Sequence, residues 1–236
     1  MQKVLDDLVS RLRKTFSDRL VSVVLYGSAA VGDHTGRFSD INVLCVLSRI
    51  TTRELVEAEP IFRWWRELDN PAPLLLSEEE VRTSTDCFPI EFHDIRERHR
   101  ILYGPDVVAD LEIDDSFYRA QVEYQLRAKL LRLRQKGAGV LGERDLLLRL
   151  LAESISTFCV LARHALLLHG LPAGFLKREI VEQAGRAFGI EPAPFLQLLD
   201  YREGKVKAKA LEPVPLFEQY LAEIERLVDA VDRLAK

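Results

Sequence analysis

A small set of residues in this chain carries chemistry by type and spacing: Gly27-Ser28, then eleven residues, then Asp40 and Asn42. Leu20 to Tyr26 is an apolar, β-branched run that stops abruptly at Gly27-Ser28, the pattern of a buried strand closed by a turn. Ser28 is placed to cap a short helix over 29–31, and backbone N–H groups at such an end favour phosphate. A second apolar run, 41–47, opens behind Asp40 and reads as another strand. Alternate residues of a strand share a face, so Asp40 and Asn42 project their oxygens together. Amides that hold phosphate, set beside paired oxygen ligands, make a site for a nucleotide with magnesium. Two competing glycine motifs fail. Ala29 stands where a dinucleotide fingerprint needs its middle glycine, and no Gly-Lys-Ser/Thr of a P-loop occurs.

Gly27-Ser28 followed by Asp40-Ile41-Asn42-Val43 resembles the signature of the polymerase-β-like nucleotidyltransferase superfamily. In outline the chain is similar to the bacterial aminoglycoside (kanamycin-type) nucleotidyltransferases and their uncharacterised relatives. The motifs cover the first hundred residues, and the remainder matches only through its all-helical pattern. The resemblance implies magnesium-dependent transfer of a nucleoside monophosphate from ATP or another nucleoside triphosphate to a hydroxyl acceptor, with pyrophosphate released. It places Gly27 and Ser28 on the β,γ-phosphates and Asp40 with Asn42 on the metal. It also implies a third carboxylate on a later strand, for which Phe88 to Ile95 is the natural place. There Phe88, Ile90 and Phe92 alternate with Pro89, Glu91 and His93, so strand parity puts Glu91 on the open face and selects it over Asp94. Glu91 would be the general base or a ligand of a second metal; His93 is read as a packing or surface histidine. Where the family carries its second motif carboxylate, this chain has Asn42, one negative charge fewer at a site that must gather divalent cations. The alternative reading is therefore a catalytically impaired nucleotide-binding or scaffold protein of the same fold.

The elements that must position these residues follow from periodicity. The expected fold class is α/β (α+β), a small mixed sheet followed by an all-α helical bundle, with domains at 1–110 and 111–236. Val4, Leu5, Leu8, Leu12 and Phe16 give an amphipathic first helix over 3–17. Thr51-Thr-Arg-Glu54 and Ser77-Glu-Glu-Glu80 are capping boxes, Leu74 to Leu76 is a short edge strand, and Pro60 is expected to restart or kink the helix it interrupts. Trp64 and Trp65 read as part of a helical core stripe rather than a base-stacking platform. From Ser116 onward only helices are expected: 117–136 ended by Gly137 and Gly139, 143–169, 177–188 closed by Gly189, a short one over 194–201, and a strongly amphipathic last helix. Arg127, Lys129, Arg132, Arg134 and Lys136 fall within ten residues that hold no acid. They read as a solvated helix face, with Arg127 and Lys129 as the candidates to reach the triphosphate.

Composition bounds the rest. The chain has 236 residues, 47% of them hydrophobic, enough for one large or two modest cores. A formal net charge of −4 argues against a dedicated nucleic-acid binder. Residues 1–110 hold 14 basic and 19 acidic side chains, and the remainder 19 and 18. That near-neutral second half does not favour a polycationic acceptor, which leaves a hydroxyl on a small molecule or a protein. Cys45, Cys87 and Cys159 are odd in number and widely spaced, as expected of free thiols in a reducing compartment. Neither a signal-peptide core nor a membrane-length apolar run is seen, so a cytoplasmic protein without a membrane partner is expected, with room for a homodimer.

Overall fold

The computed structural model describes residues 1–31 and 41–234, with Ser28 and Val31 described by backbone alone. By its internal contacts the chain divides into two compact units, Met1–Asp115 and Ser116–Lys236.

The first unit is built on a four-stranded mixed sheet. Helix α1 (Gln2–Phe16) is followed by β1 (Leu20–Tyr26), a 3-10 turn (Ser28–Val31), β2 (Asn42–Leu47), α2 (Thr52–Glu67), β3 (Leu74–Ser77), α3 (Glu78–Thr83), α4 (Pro89–Glu97) and β4 (His99–Tyr103). The strand order is β3-β2-β1-β4, with β1 antiparallel to both neighbours and β3 parallel to β2. Strand alternation gives the sheet two apolar faces. Val23, Leu25, Val43, Cys45 and Leu47 pack against Leu5, Leu8, Leu12 and Phe16 of α1 and Ile61 and Trp65 of α2. Val24, Leu44 and Val46 pack against Val81, Phe92, Ile95 and Val108. Every α1 residue in that core is fully buried, each side chain contributing about 2 kcal/mol of transfer free energy.

Local signals explain most boundaries. Both capping boxes form, with Glu54 and Glu80 reaching back to the backbone of Thr51 and Ser77. Helix α2 is continuous through Pro60. Trp65 is fully buried and donates its indole N–H to the Pro71 carbonyl at 2.8 Å, while Trp64 lies under the Arg11 guanidinium. Both rings are thus committed to the fold.

The second unit contains α5 (Tyr118–Val140), α6 (Arg144–Leu168), α7 (Lys177–Phe188), α8 (Ala193–Arg202) and α9 (Pro213–Asp232). Gly189 closes α7 in the left-handed region, at φ +68°. Gly137 and Gly139 do not end α5, which runs through both. The reason at Gly137 is room: a Cβ there would sit 2.3 Å from Cζ of Phe217 on α9. That glycine serves close helix packing, and propensity yields to it.

Candidate functional site

The ends of three strands meet beside Gly27. Tyr26, the last residue of β1, is paired with Asn42 on one side and His99 on the other. Gly27 then turns the chain at φ +76°, where a Cβ would also stand 3.3 Å from the Asn42 amide nitrogen. Both the backbone conformation and the close approach call for glycine. The Gly27 N–H donates to the Arg98 carbonyl at 3.3 Å, so that amide is already used inside the fold.

Asn42 shares its sheet face with Val24, Tyr26, Leu44 and Val46, as strand parity requires. That face is covered, not open. Phe92 and Ile95 of α4 and Val81 of α3 pack on it. The segment expected to be a strand with Glu91 on its free face is helix α4 instead. Pro89 sits in the first turn, where its missing N–H costs nothing, and Ile90, Phe92 and Ile95 are the residues it buries. The alternation of Phe88, Ile90 and Phe92 breaks at Asp94 and Ile95, and Phe88 is half exposed. Strand parity therefore does not choose between the two carboxylates. Glu91 and Asp94, three residues apart, lie on one side of the helix.

Both approach Tyr26. Its phenol is pushed up to about 12, first by burial and then by the charges of Glu91 and Asp94. The hydroxyl stays protonated at neutral pH and can donate where the two carboxylates accept. Glu91 itself is exposed, and Asp94 is half-buried. The structure thus gathers Gly27, Asn42, Tyr26, Glu91 and Asp94 toward one end of the sheet. Asp40 falls outside the described residues. Among the described residues no three His, Cys, Asp or Glu side chains converge on a metal-sized site. A metal here would need Asp40 to join Asn42.

The neighbouring histidines have structural partners. His93 meets Asp115 at 2.6 Å. His99 spans the Ile95 carbonyl through Nδ1 and Asp106 through Nε2, each at 2.9 Å. Tyr26 is the residue that sequence reasoning passed over. The signal was there: a polar-tipped aromatic ends an otherwise aliphatic run, one residue before the glycine.

In the helical unit the two proposed triphosphate contacts separate. Arg127 pairs with Glu123 at 2.8 Å and faces Asp232 at 3.7 Å, and its guanidinium is pushed up first by Glu123. Lys129 lies two residues along α5 and turns toward α6. Arg163 of α6 is buried, donating from Nε to the carbonyls of Ala173 and Gly174 and stacking on Phe175 at 3.8 Å. It fastens the segment that leads into α7.

No helix among the described residues is long and apolar enough to cross a membrane. No protein-family model matches the sequence, and no curated protein is similar to it. Among solved structures the chain is similar to spectinomycin adenyltransferase AAD(9) from Enterococcus faecialis, whose crystal structure was solved with ATP and spectinomycin. The likeness has a TM-score of 0.63 at 17% identity and covers 95% of this chain and 98% of that one. At that identity the likeness shows the fold alone, a small mixed-sheet unit followed by a helical one.

Proposed function

We propose that the protein transfers a nucleoside monophosphate from a nucleoside triphosphate, ATP being the reference substrate, to a hydroxyl acceptor. The observation that carries this reading is the β1 end, where Gly27 at φ +76° packs on Asn42 and opens a short 3-10 turn. With the Gly27 amide held by Arg98, triphosphate binding falls to Ser28 and the turn it begins. Asp40 and Asn42, with Glu91 nearby, would hold Mg2+, which when bound offsets the negative charge of the phosphates. Glu91 or Asp94 takes the proton of the acceptor hydroxyl, and its neighbour Tyr26 remains a neutral donor that steers one carboxylate. The acceptor oxygen bonds to the α-phosphorus as the bond to the bridging oxygen breaks, and pyrophosphate leaves. Arg127 is engaged by Glu123 and Lys129 lines a groove between α5 and α6, so the reading rests on residues of the first unit.

Asn42 favours a second reading, a nucleotide-binding or scaffold protein with little turnover, because a neutral amide holds a divalent cation less strongly than a carboxylate. One assay separates them: magnesium-dependent release of pyrophosphate from ATP, with and without alcohol acceptors, alongside calorimetric ATP binding. Release supports transfer. Binding without release supports the scaffold reading. Absence of both, or a Ser28→Leu variant with unchanged ATP affinity, overturns the site.

A further inference from the structure

Helices α5 and α6 are joined by a three-residue connection, 141–143, and return side by side as an antiparallel pair. Between them lies a cavity of about 310 Å³, small but within the range that holds a ligand. Lys129, Arg132, Leu133 and Lys136 line it from α5, at helical spacing along one stripe. Leu150, Glu153, Ser154, Thr157 and Phe158 line it from α6 in the same manner. The floor is apolar: Leu133 and Phe158 are buried and Leu150 half-buried.

The charges around this groove are distributed unevenly. The other arginines of α5 are all matched: Arg119 and Arg127 with Glu123, and Arg134 with Glu225. Lys129, Arg132 and Lys136 have no carboxylate partner among the described residues, although they lie on the same helix. The single acid of the groove, Glu153, is already held by Arg149 at 2.8 Å, one turn back on its own helix. Ser154 is fixed beneath, donating to the Leu151 carbonyl at 2.8 Å and 3.2 Å from the buried Tyr220 hydroxyl. Thr157 lines the wall, and its hydroxyl has no hydrogen-bond partner among the described residues. Three unmatched cations with a hydroxyl over an apolar floor fit an anion that carries an apolar body.

From this pairing pattern we infer that the α5–α6 groove binds a small organic phosphate, its phosphoryl group met by Lys129, Arg132 and Lys136 and its apolar part seated on Leu133, Leu150 and Phe158. A dianionic phosphoryl group answers three cations better than a single carboxylate does. The site is distinct from the triphosphate-binding turn at Ser28 and stands whether or not the nucleotidyl-transfer reading does. Its occupant has the opposite charge to a polycationic acceptor, which these cations would repel.

The test uses 1-naphthyl phosphate as probe, titrated into the full chain by calorimetry and by amide shifts, with neutral 1-naphthol in parallel. Saturable binding of the phosphate and none of the naphthol is expected. Lys136→Glu should weaken it about tenfold, and Arg132→Glu with Lys136→Glu further, because each reversal replaces an attraction by a repulsion. Both positions are exposed, so helix content should be kept, which circular dichroism verifies. Lys205→Glu, an exposed cation elsewhere in the unit, should leave the affinity unchanged. The inference is overturned by naphthol binding equally well, by variants that bind like the parent, or by no saturable binding. Loss of probe binding in Ser28→Leu would overturn it too, since the phosphate would then be occupying the triphosphate site.

Discussion

The β1–β2 end of the sheet and the α5–α6 groove present opposite chemistry. At the sheet end Glu91 and Asp94 surround a neutral phenol, with the carboxamide of Asn42 across the strand pair. In the groove Lys129, Arg132 and Lys136 surround an apolar floor, and the one acid is already paired. Net charge shows only the direction of this contrast, with 14 basic and 19 acidic side chains in residues 1–110 against 19 and 18 in the remainder. What separates the regions is which charges have been matched. Carboxylates gathered at a sheet end suit a proton or a cation; unmatched cations on a helix pair suit an anion.

The sharpest way to break the comparison is to disturb one region and watch the other. Gly137 follows Lys136 on α5 and holds that helix close to Phe217 of α9. Gly137→Val drives side-chain atoms into the ring and should cost the helical unit about 3 kcal/mol, the upper end of ordinary overpacking. Probe binding in the groove should fall with it. Both tryptophans, Trp64 and Trp65, lie in the first unit, so their fluorescence reports that unit alone. Circular dichroism should show the helical loss at a lower temperature while tryptophan emission melts as in the parent. Coincident shifts of the two signals would mean that the units unfold together.

A smaller effect sits in the first unit. Arg19 bridges Glu54 and Glu57, and Glu54 is also the capping-box acid of α2. Its carboxyl is held down to about 2, first by the Thr51 hydroxyl and then, against the opposing effect of burial, by Arg19. A carboxyl depressed on folding contributes stability that is complete above its unfolded value, near 4.5, and is lost as pH falls toward 2. The tryptophan-detected unfolding of the parent should therefore steepen in acid across that window. Glu54→Gln should be less stable at neutral pH and show a flatter acid limb. An unchanged acid limb would mean that Glu54 is not depressed.

How much of this was legible in the sequence follows from which forces act locally. The strand Leu20–Tyr26, both capping boxes and the edge strand at Leu74 rest on neighbouring residues, and each forms as the pattern dictates. Residues 88–97 failed because three apolar residues are too few to fix a period, and burial of Ile90, Phe92 and Ile95, the last two against the face of β1 and β2, decided for the helix. The fourth strand is His99–Tyr103, a segment whose polar edge gave no alternation to read. Gly137 misled for a related reason: a glycine needed for room looks in sequence like a glycine that ends a helix. The groove was only partly visible. The cationic run from Arg127 to Lys136 is plain, and Glu123 one turn before Arg127 is a local match, but the pairings with Glu225 and Asp232 of α9 come only from the fold.

The smallest predicted effect bears on the sheet end itself. Asn42→Asp is near-isosteric and adds a charge on the face that carries Tyr26, next to a site already bordered by Glu91 and Asp94. Without metal the added repulsion should lower the melting temperature slightly or leave it level. With magnesium the sign should reverse, because a cation held by the folded state alone stabilises it by mass action. At a tenfold excess over its dissociation constant that gain is about 1.4 kcal/mol, or about 6 °C for a unit of this size. The magnesium-dependent rise, read by tryptophan fluorescence, should be larger for the variant than for the parent. If the parent is slow because it lacks this carboxylate, pyrophosphate release from ATP should quicken as well. A variant indifferent to magnesium would show that position 42 takes no part in a metal site, and would leave the acids of the sheet end to a proton rather than a cation.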